Sequence, residues 1–104
     1  MVKQVATCTS VIDGGTFETD SKLQVRLARV YTPEISSPEG VRARNLLTSM
    51  INGRVISYEV VAHDDYGRSI CEVWVKNANV NDSMIAHGYD IPQWFPPPPW
   101  SSPQ

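Results

Sequence analysis

Alternating apolar and polar residues predict a run of strands in the first third of the chain. Residues 5–12 form a segment that leans apolar and ends at an Asp-Gly-Gly turn signal. Two more strands are predicted over residues 16–19 and 23–30, and in the latter every second residue is apolar up to Leu27. Arg29 occupies an apolar position of this alternation, which makes it an awkward core residue.

The middle of the chain predicts one helix. Ser37 is a suitable N-cap, Pro38 suits the first helical position, and Asn52-Gly53 is a suitable end. One apolar stripe follows the helical period: Ala43, Leu46, Leu47, Met50 and Ile51. This stripe predicts a helix that packs on a sheet.

The second half of the chain predicts two strands and a short helix. The strands cover residues 54–63 and 69–76, and residues 64–68 form a tight connection. Asn81 is the predicted cap of the last helix, and Gly88 ends it. The resulting order, β-β-β-α-β-β-α, indicates a mainly β fold with two helices.

The C-terminal end differs in composition from the rest. Six of the eight prolines fall at or after Pro92, four of them in succession. Such a run favours extended polyproline II. We therefore divide the chain into a folded domain over residues 1–91 and a proline-rich tail over residues 92–104.

Composition limits the class of protein. The chain has 104 residues, 41% hydrophobic and 19% charged, which indicates one small globular domain and excludes a two-lobed enzyme. The net charge of −2 excludes a broadly basic surface, although residues 1–54 carry seven Lys/Arg against five Asp/Glu. No apolar run is long enough to cross a membrane, and residues 1–8 lack the apolar segment of a signal peptide. We therefore expect a cytoplasmic location, unless the start is a processed or re-engineered N-terminus. We also expect a monomer.

The cysteines and histidines offer no obvious reactive site. Cys8 and Cys71 are too few for a disulfide framework. They are either two buried thiols or one bridge between neighbouring strands. His63 and His87 are predicted to lie on the surface.

Three short segments carry the candidate chemistry. They are VIDGGT at residues 11–16, VRL followed by YTPE within residues 25–34, and DDYGR at residues 64–68. In this order, with a helix between the second and third, they resemble the staphylococcal nuclease (thermonuclease) family over about residues 5–95. The resemblance implies a five-stranded OB-type β-barrel with helices packed on it. The proline-rich tail takes the place of that family's third, C-terminal helix.

The resemblance also implies a function. The family hydrolyses phosphodiester bonds of DNA and RNA with calcium, and its catalytic arginines and glutamate correspond to Arg26, Glu34 and Arg68. Guanidinium groups suit the charge that develops on phosphate oxygens, and a carboxylate can orient the attacking water. Tyr66 matches a tyrosine that lies beside the substrate in the family. The aromatic residues that flank the nucleotide in the family correspond to Trp94 and Phe95, which could equally pack against the barrel.

The chain departs from the family at the calcium ligands. Where the family has Asp-Gly-Asp-Thr, this chain has Gly15 in place of the second aspartate. Where the family has Asp-Thr-Pro-Glu, this chain has Tyr31 in place of the aspartate. Asp13 and the Thr32 carbonyl remain as vestigial metal positions. Because calcium needs six to eight oxygen ligands, we expect calcium binding to be weak or absent.

Three functional hypotheses follow. In the first, Arg26, Glu34 and Arg68 bind nucleic acid or a nucleotide phosphate with little calcium-dependent hydrolysis; their formal charge is +1 without a metal. In the second, the protein is an active endonuclease with another metal arrangement or none. In the third, it is a protein-interaction module, since Phe95 and the prolines after it resemble the ligands of EVH1 domains, which bind polyproline II.

Overall fold

The computed structural model describes residues 3–90, which form six strands and two helices. The strands are β1 (Gln4–Asp13), β2 (Thr16–Thr19), β3 (Gln24–Leu27), β4 (Val55–His63), β5 (Ser69–Val75) and β6 (Ala78–Asn79). The helices are α1 (Pro38–Ile51) and α2 (Val80–Ala86). The predicted element order is confirmed, with the two-residue β6 as an addition before the last helix.

The strands form a closed barrel. Neighbours pair in the order β3-β2-β1-β4-β5-β6, and β1 bends at two register shifts so that it pairs with both β2 and β4. A parallel pairing of β3 with β5, with Val25 opposite Ser69 and Leu27 opposite Cys71, joins the two sides. The predicted five-stranded barrel is thereby confirmed. The short β6 pairs with β5 and is not one of the five strands that close the barrel.

The core fills the barrel and the space beneath the helices. Its largest fully buried apolar side chains are Phe17, Leu27, Leu47, Ile51, Ile56, Ile70 and Met84. The helix α1 packs against β1, and α2 packs against β5. Ser37 caps α1 as predicted, because its Oγ accepts a hydrogen bond of 3.0 Å from the Gly40 amide.

Strand β3 ends three residues earlier than the alternation predicts. Arg29 has a φ of +67°, a left-handed conformation that turns the chain out of the sheet. Its guanidinium donates two hydrogen bonds of 2.8 Å to Glu72 and one of 3.0 Å to Asp82. The arginine at an apolar position is therefore an ion-paired turn residue that lies outside the core.

The cap predicted for the last helix is wrong by two residues. Asn79 is the N-cap of α2, and its side chain accepts a 2.8 Å hydrogen bond from the Asp82 amide. Asn81 is fully buried instead. Its Nδ2 donates to the carbonyls of Ala28 and Cys71, and its Oδ1 accepts from the Val73 amide at 2.9 Å. Asn81 thus links the end of β3 to β5.

Both cysteines are buried free thiols. Cys8 lies on β1 and Cys71 on β5, which are not neighbouring strands, so the bridge between neighbours does not form. Burial raises the pKa of both thiols, that of Cys71 to about 12. His63 and His87 are exposed, as predicted.

Some predictions concern residues outside the range that the structure describes. The proline-rich tail and the missing third helix lie outside residues 3–90 and stay predictions. Within that range, no helix is both long and apolar enough to cross a membrane.

The buried amide of Asn81 provides a test of the barrel closure. The substitution Asn81→Ala leaves the buried Val73 amide and Ala28 carbonyl without their partner. We expect it to lower the free energy of unfolding by about 3 kcal/mol, measured by urea denaturation. The exposed Asn77→Ala is the matched control and should leave stability nearly unchanged. An Asn81→Ala protein as stable as this control would show that the closure does not depend on these hydrogen bonds.

Candidate functional site

Arg26 and Arg68 both lie beside the start of β2. Arg26 lies on β3, where it is opposite Thr16 of β2 and Ile70 of β5. Arg68 directly precedes β5. The barrel closure brings the two side chains to one place: Arg26 Nη1 is 3.4 Å from the Gly15 carbonyl oxygen, and Arg68 Nη1 is 3.5 Å from the hydroxyl oxygen of Thr16.

The Arg26 guanidinium is held by backbone carbonyls. Its Nη1 donates to Leu27 O at 2.7 Å, and its Nη2 donates to Val30 O at 2.6 Å. Leu27 is the last residue of β3 and Val30 follows the turn after it, so the end of the strand and the turn together orient the side chain. Arg26 therefore has a defined direction in the folded protein.

Electrostatics tie several predicted residues to Arg26. Burial lowers the pKa of Arg26 below its ordinary value, and the Arg68 guanidinium adds to that effect. Asp13, Tyr31 and Asp64 act in the opposite direction. These five side chains consequently belong to one cluster of interacting charges and dipoles.

Asp64 orients Arg68, and it is a residue that sequence reasoning missed. Its Oδ1 accepts hydrogen bonds of 2.9 Å from the amides of Tyr66 and Arg68, and its Oδ2 accepts one of 2.6 Å from Arg68 Nε. The Asp64 side chain is only 4% exposed, against 24% for Arg68. The available signal was an aspartate four residues before an arginine, across a turn that contains glycine.

Tyr66 extends outward from the same turn. The residue is 83% exposed, and the Arg68 guanidinium carbon lies 5.7 Å from the centre of its ring. This distance is within the range of a cation–π contact. The tyrosine predicted to adjoin the substrate is thus next to an arginine and open to solvent.

The turn between β1 and β2 is packed closely against Arg26. Asp13 Oδ1 accepts a 2.8 Å hydrogen bond from the Gly15 amide, which closes the turn. A Cβ atom on Gly15 would lie 2.6 Å from Arg26 Nη1. The space beside Gly15 is therefore occupied by an arginine side chain from β3.

The same turn touches α1 and the segment after β3. A Cβ atom on Gly14 would lie 2.7 Å from the Cβ of Ala43 and 2.8 Å from Cγ2 of Thr32. The backbone of Tyr31, the residue before Thr32, is fixed by a hydrogen bond of 2.8 Å from its amide to the carbonyl of Tyr89. Gly14 thus lies closely packed between α1 and the segment after β3.

Glu34 lies just before α1, and its backbone carbonyl contacts the start of that helix. Its carbonyl oxygen accepts hydrogen bonds from the amide and hydroxyl of Ser37, and a Cβ atom on Gly40 would collide with that oxygen. The side chain is exposed, and in the part of the chain that the structure describes it forms no ion pair with Arg26 or Arg68. The close approach of Gly40 to the Glu34 carbonyl could not be predicted from the sequence, because a glycine in the first turn of a helix does not by itself indicate such a contact.

The remaining site predictions concern aromatic residues and the metal. Trp94 and Phe95 lie outside the described residues. Among residues 3–90, no three His, Cys, Asp or Glu side chains are grouped so that they could hold a metal ion.

The comparison with protein families agrees with the arrangement of these segments. Residues 24–94 match the family described as staphylococcal nuclease homologue. The chain belongs to the staphylococcal nuclease family. The match contains Arg26, Glu34 and Arg68, whereas the glycine turn at residues 13–15 lies before its start.

Several relatives share this family's name or activity. The chain is 31% identical over 81 residues to Endonuclease Htp3 of Saprolegnia parasitica, covering 68% of this chain and 38% of that protein. It is 29% identical over 82 residues to an uncharacterized endonuclease of Escherichia coli O157:H7, covering 75% and 54%. Staphylococcal-like nuclease CAN1 of Arabidopsis thaliana is 28% identical over 67 residues, covering 64% and 21%. The chain thus spans from about a fifth to about half of these relatives' lengths.

The Asp64 carboxylate provides a pH test of how Arg68 is oriented. Desolvation acts to raise the pKa of Asp64, but hydrogen bonds from Arg68 and Tyr66 outweigh it and hold the pKa below its ordinary value of 3.8. A depressed carboxyl pKa stabilises the fold above the unfolded value, and that stability is lost as the pH falls through the folded value. We expect Asp64→Asn to lower the urea midpoint at pH 7 and the difference from the parent to shrink below pH 3.8. Asp65→Asn, on the exposed neighbour, is the control, and equal pH profiles for all three proteins would contradict the expectation.

Proposed function

We propose that this domain binds a nucleic acid or nucleotide phosphate through Arg26 and Arg68, with weak or absent calcium-dependent hydrolysis. The observation that supports the proposal is that the two guanidinium groups lie beside the adjacent residues Gly15 and Thr16. Planar guanidinium forks match phosphate oxygens in geometry and charge. In this proposal Glu34 is the group that orients water, and it would have to approach the phosphate from its exposed position.

The donor set supports a defective calcium site. Gly15 offers no side chain, and the Arg26 guanidinium, a cation, lies against it. Tyr31 offers a phenol in place of a carboxylate. Calcium requires several oxygen ligands, with carboxylates supplying the charge. We infer that these residues do not fit calcium, and no step of the proposed binding passes through a metal.

The charges around the arginines support weak binding. Counting Arg26 and Arg68 with Glu34 gives +1, but Asp13 and Asp64 belong to the same cluster and bring the sum to −1. The Asp64 carboxylate is already paired with Arg68 at 2.6 Å. A phosphate therefore competes with a carboxylate, and we expect a dissociation constant of about 1 mM, an affinity of about 4 kcal/mol.

An active endonuclease is the second candidate function. It is favoured by the names of the relatives, two of which are called endonucleases. It needs another metal arrangement or none, because of the substitutions at Gly15 and Tyr31. The interaction module rests on residues 92–104, outside the described structure, and stays a prediction from sequence.

The first test of the proposal is phosphate binding without metal. A nucleoside 3′,5′-bisphosphate added with chelator should shift the amide resonances of residues 13–16 and 66–68, because the binding groups are arginines. Added salt should weaken the binding. Arg68→Gln should lose most of the response, while Arg42→Gln, on the exposed face of α1, should retain it. Shifts that appear only with calcium would refute metal-independent binding.

A second test restores the two missing carboxylates. The variant with Gly15→Asp and Tyr31→Asp should bind calcium and cleave DNA faster than the parent by about three powers of ten, if the metal supplies about 4 kcal/mol to the transition state. Gly15 lies outside the left-handed region, so its backbone accepts aspartate. The new Cβ requires the guanidinium of Arg26 to move, which disturbs its hydrogen bonds to the Leu27 and Val30 carbonyls.

The controls of this restoration separate the hypotheses. Each single substitution should remain without strong calcium binding, because one new carboxylate leaves the ion short of ligands. Adding Arg68→Ala to the double variant should remove the gain in cleavage. A folded double variant that binds calcium but does not cleave would place the defect outside the metal site. A parent that already cleaves as fast as the double variant would favour the active endonuclease.

A further inference from the structure

A polar groove lies between β1 and α1, outside the arginine pair. It has a volume of about 350 Å³. It is lined by residues Thr9, Ser10 and Val11 on β1, by Arg44, Asn45 and Thr48 on α1, and by Asn52 at the end of that helix. Six of these seven residues carry hydrogen-bonding side chains, and none of them is acidic.

Arg44 is the charged residue of the groove. It is half-buried, and within residues 3–90 its guanidinium makes no hydrogen bond or ion pair. Three of the other arginines differ from it in this respect, since Arg29, Arg42 and Arg68 each face a carboxylate. The groove therefore has a local positive charge that no carboxylate of the described chain neutralises.

Neutral donors and acceptors accompany this arginine. The hydroxyls of Thr9 and Thr48 are used internally, since they donate to the carbonyls of Glu18 and Arg44. The side chains of Ser10, Asn45 and Asn52 are exposed and make no hydrogen bond to any residue that the structure describes. The groove thus combines one guanidinium, one hydroxyl and two carboxamides. These groups can donate hydrogen bonds to an anion such as phosphate and to polar groups next to it.

The groove adjoins the glycine turn of the candidate site. Val11 is two residues before Asp13, about 7 Å along an extended strand. Arg44 follows Ala43, the residue of α1 that Gly14 touches. A strand of nucleic acid with one phosphate at the arginine pair can therefore reach the groove within a few nucleotides.

We propose that this groove binds a second phosphate of a single-stranded nucleic acid, through Arg44. The inference rests on the proposed function, because the first phosphate is the one at Arg26 and Arg68. Arg44 pairs with and donates hydrogen bonds to a phosphate of the nucleic-acid backbone. The groove therefore adds affinity without selecting a base sequence.

The test compares a short with a long ligand on the full chain. The ligands are thymidine 3′,5′-bisphosphate and a single-stranded oligothymidylate of six nucleotides, titrated by calorimetry with chelator present. Arg44→Gln should weaken the oligothymidylate by about three- to tenfold and leave the bisphosphate unchanged. It should also reduce the slope of log affinity against log salt concentration by about 0.7. Arg42→Gln, on the same helix, is the matched control and should bind both ligands like the parent.

Two further variants keep the outcomes distinct. Arg44→Lys retains the charge and should keep most of the affinity, and the melting temperature of every variant verifies folding. If Arg44→Gln binds the oligothymidylate as Arg42→Gln does, the groove proposal is wrong. If Arg68→Gln binds the bisphosphate as the parent does, the proposed function fails, while the Arg44 result still decides the groove. If inorganic phosphate shifts the Ser10 and Asn45 resonances but the oligothymidylate does not, the groove is an isolated anion site and strand binding is overturned.

Discussion

The parallel pairing of β3 with β5 is the contact on which the barrel and the site both depend. It joins Val25 and Leu27 to Ser69 and Cys71, residues more than forty positions away. Antiparallel hairpins alone would leave β3 at an open edge, with Arg26 far from the turn that carries Arg68. The same few backbone hydrogen bonds that remove an exposed sheet edge therefore place Arg26 and Arg68 beside the adjacent residues Gly15 and Thr16.

The closure is maintained by polar groups as well as by the apolar core. Asn81 reaches from α2 to the Ala28 carbonyl after β3 and to two backbone groups of β5, all of them buried. Arg29 adds an ion-paired link from the same turn to Glu72 of β5. That turn also provides the Val30 carbonyl that accepts a hydrogen bond from Arg26. Asn81 of α2 therefore stabilises the turn that positions this arginine of the candidate site.

The sequence was informative wherever the determining interactions are local. The helix α1 was predicted from its cap and its stripe, since both lie within one continuous segment. Arg29 and Asn81 were misjudged, because their partners are distant in sequence and neither residue type reveals them. The segments around Arg26 and Arg68 were located by resemblance. The internal pairing of Arg68 with Asp64 and the exposed position of Glu34 depend on side-chain directions, which residue identity leaves open.

The two arginines differ in how much freedom they retain. Arg26 has both terminal nitrogens bound to carbonyls, so its rotamers are restricted when the protein folds and before any ligand arrives. Immobilising a long side chain on binding costs about 0.5–1.5 kcal/mol, and for Arg26 that entropy is already lost in the free protein. Arg68 is tethered to a carboxylate through Nε, and the guanidinium end beyond that bond makes a long contact to Thr16 and lies near the ring of Tyr66. The site thus combines a preorganised cation with an adjustable one, an asymmetry by which it can accept anions of different shapes at little conformational cost.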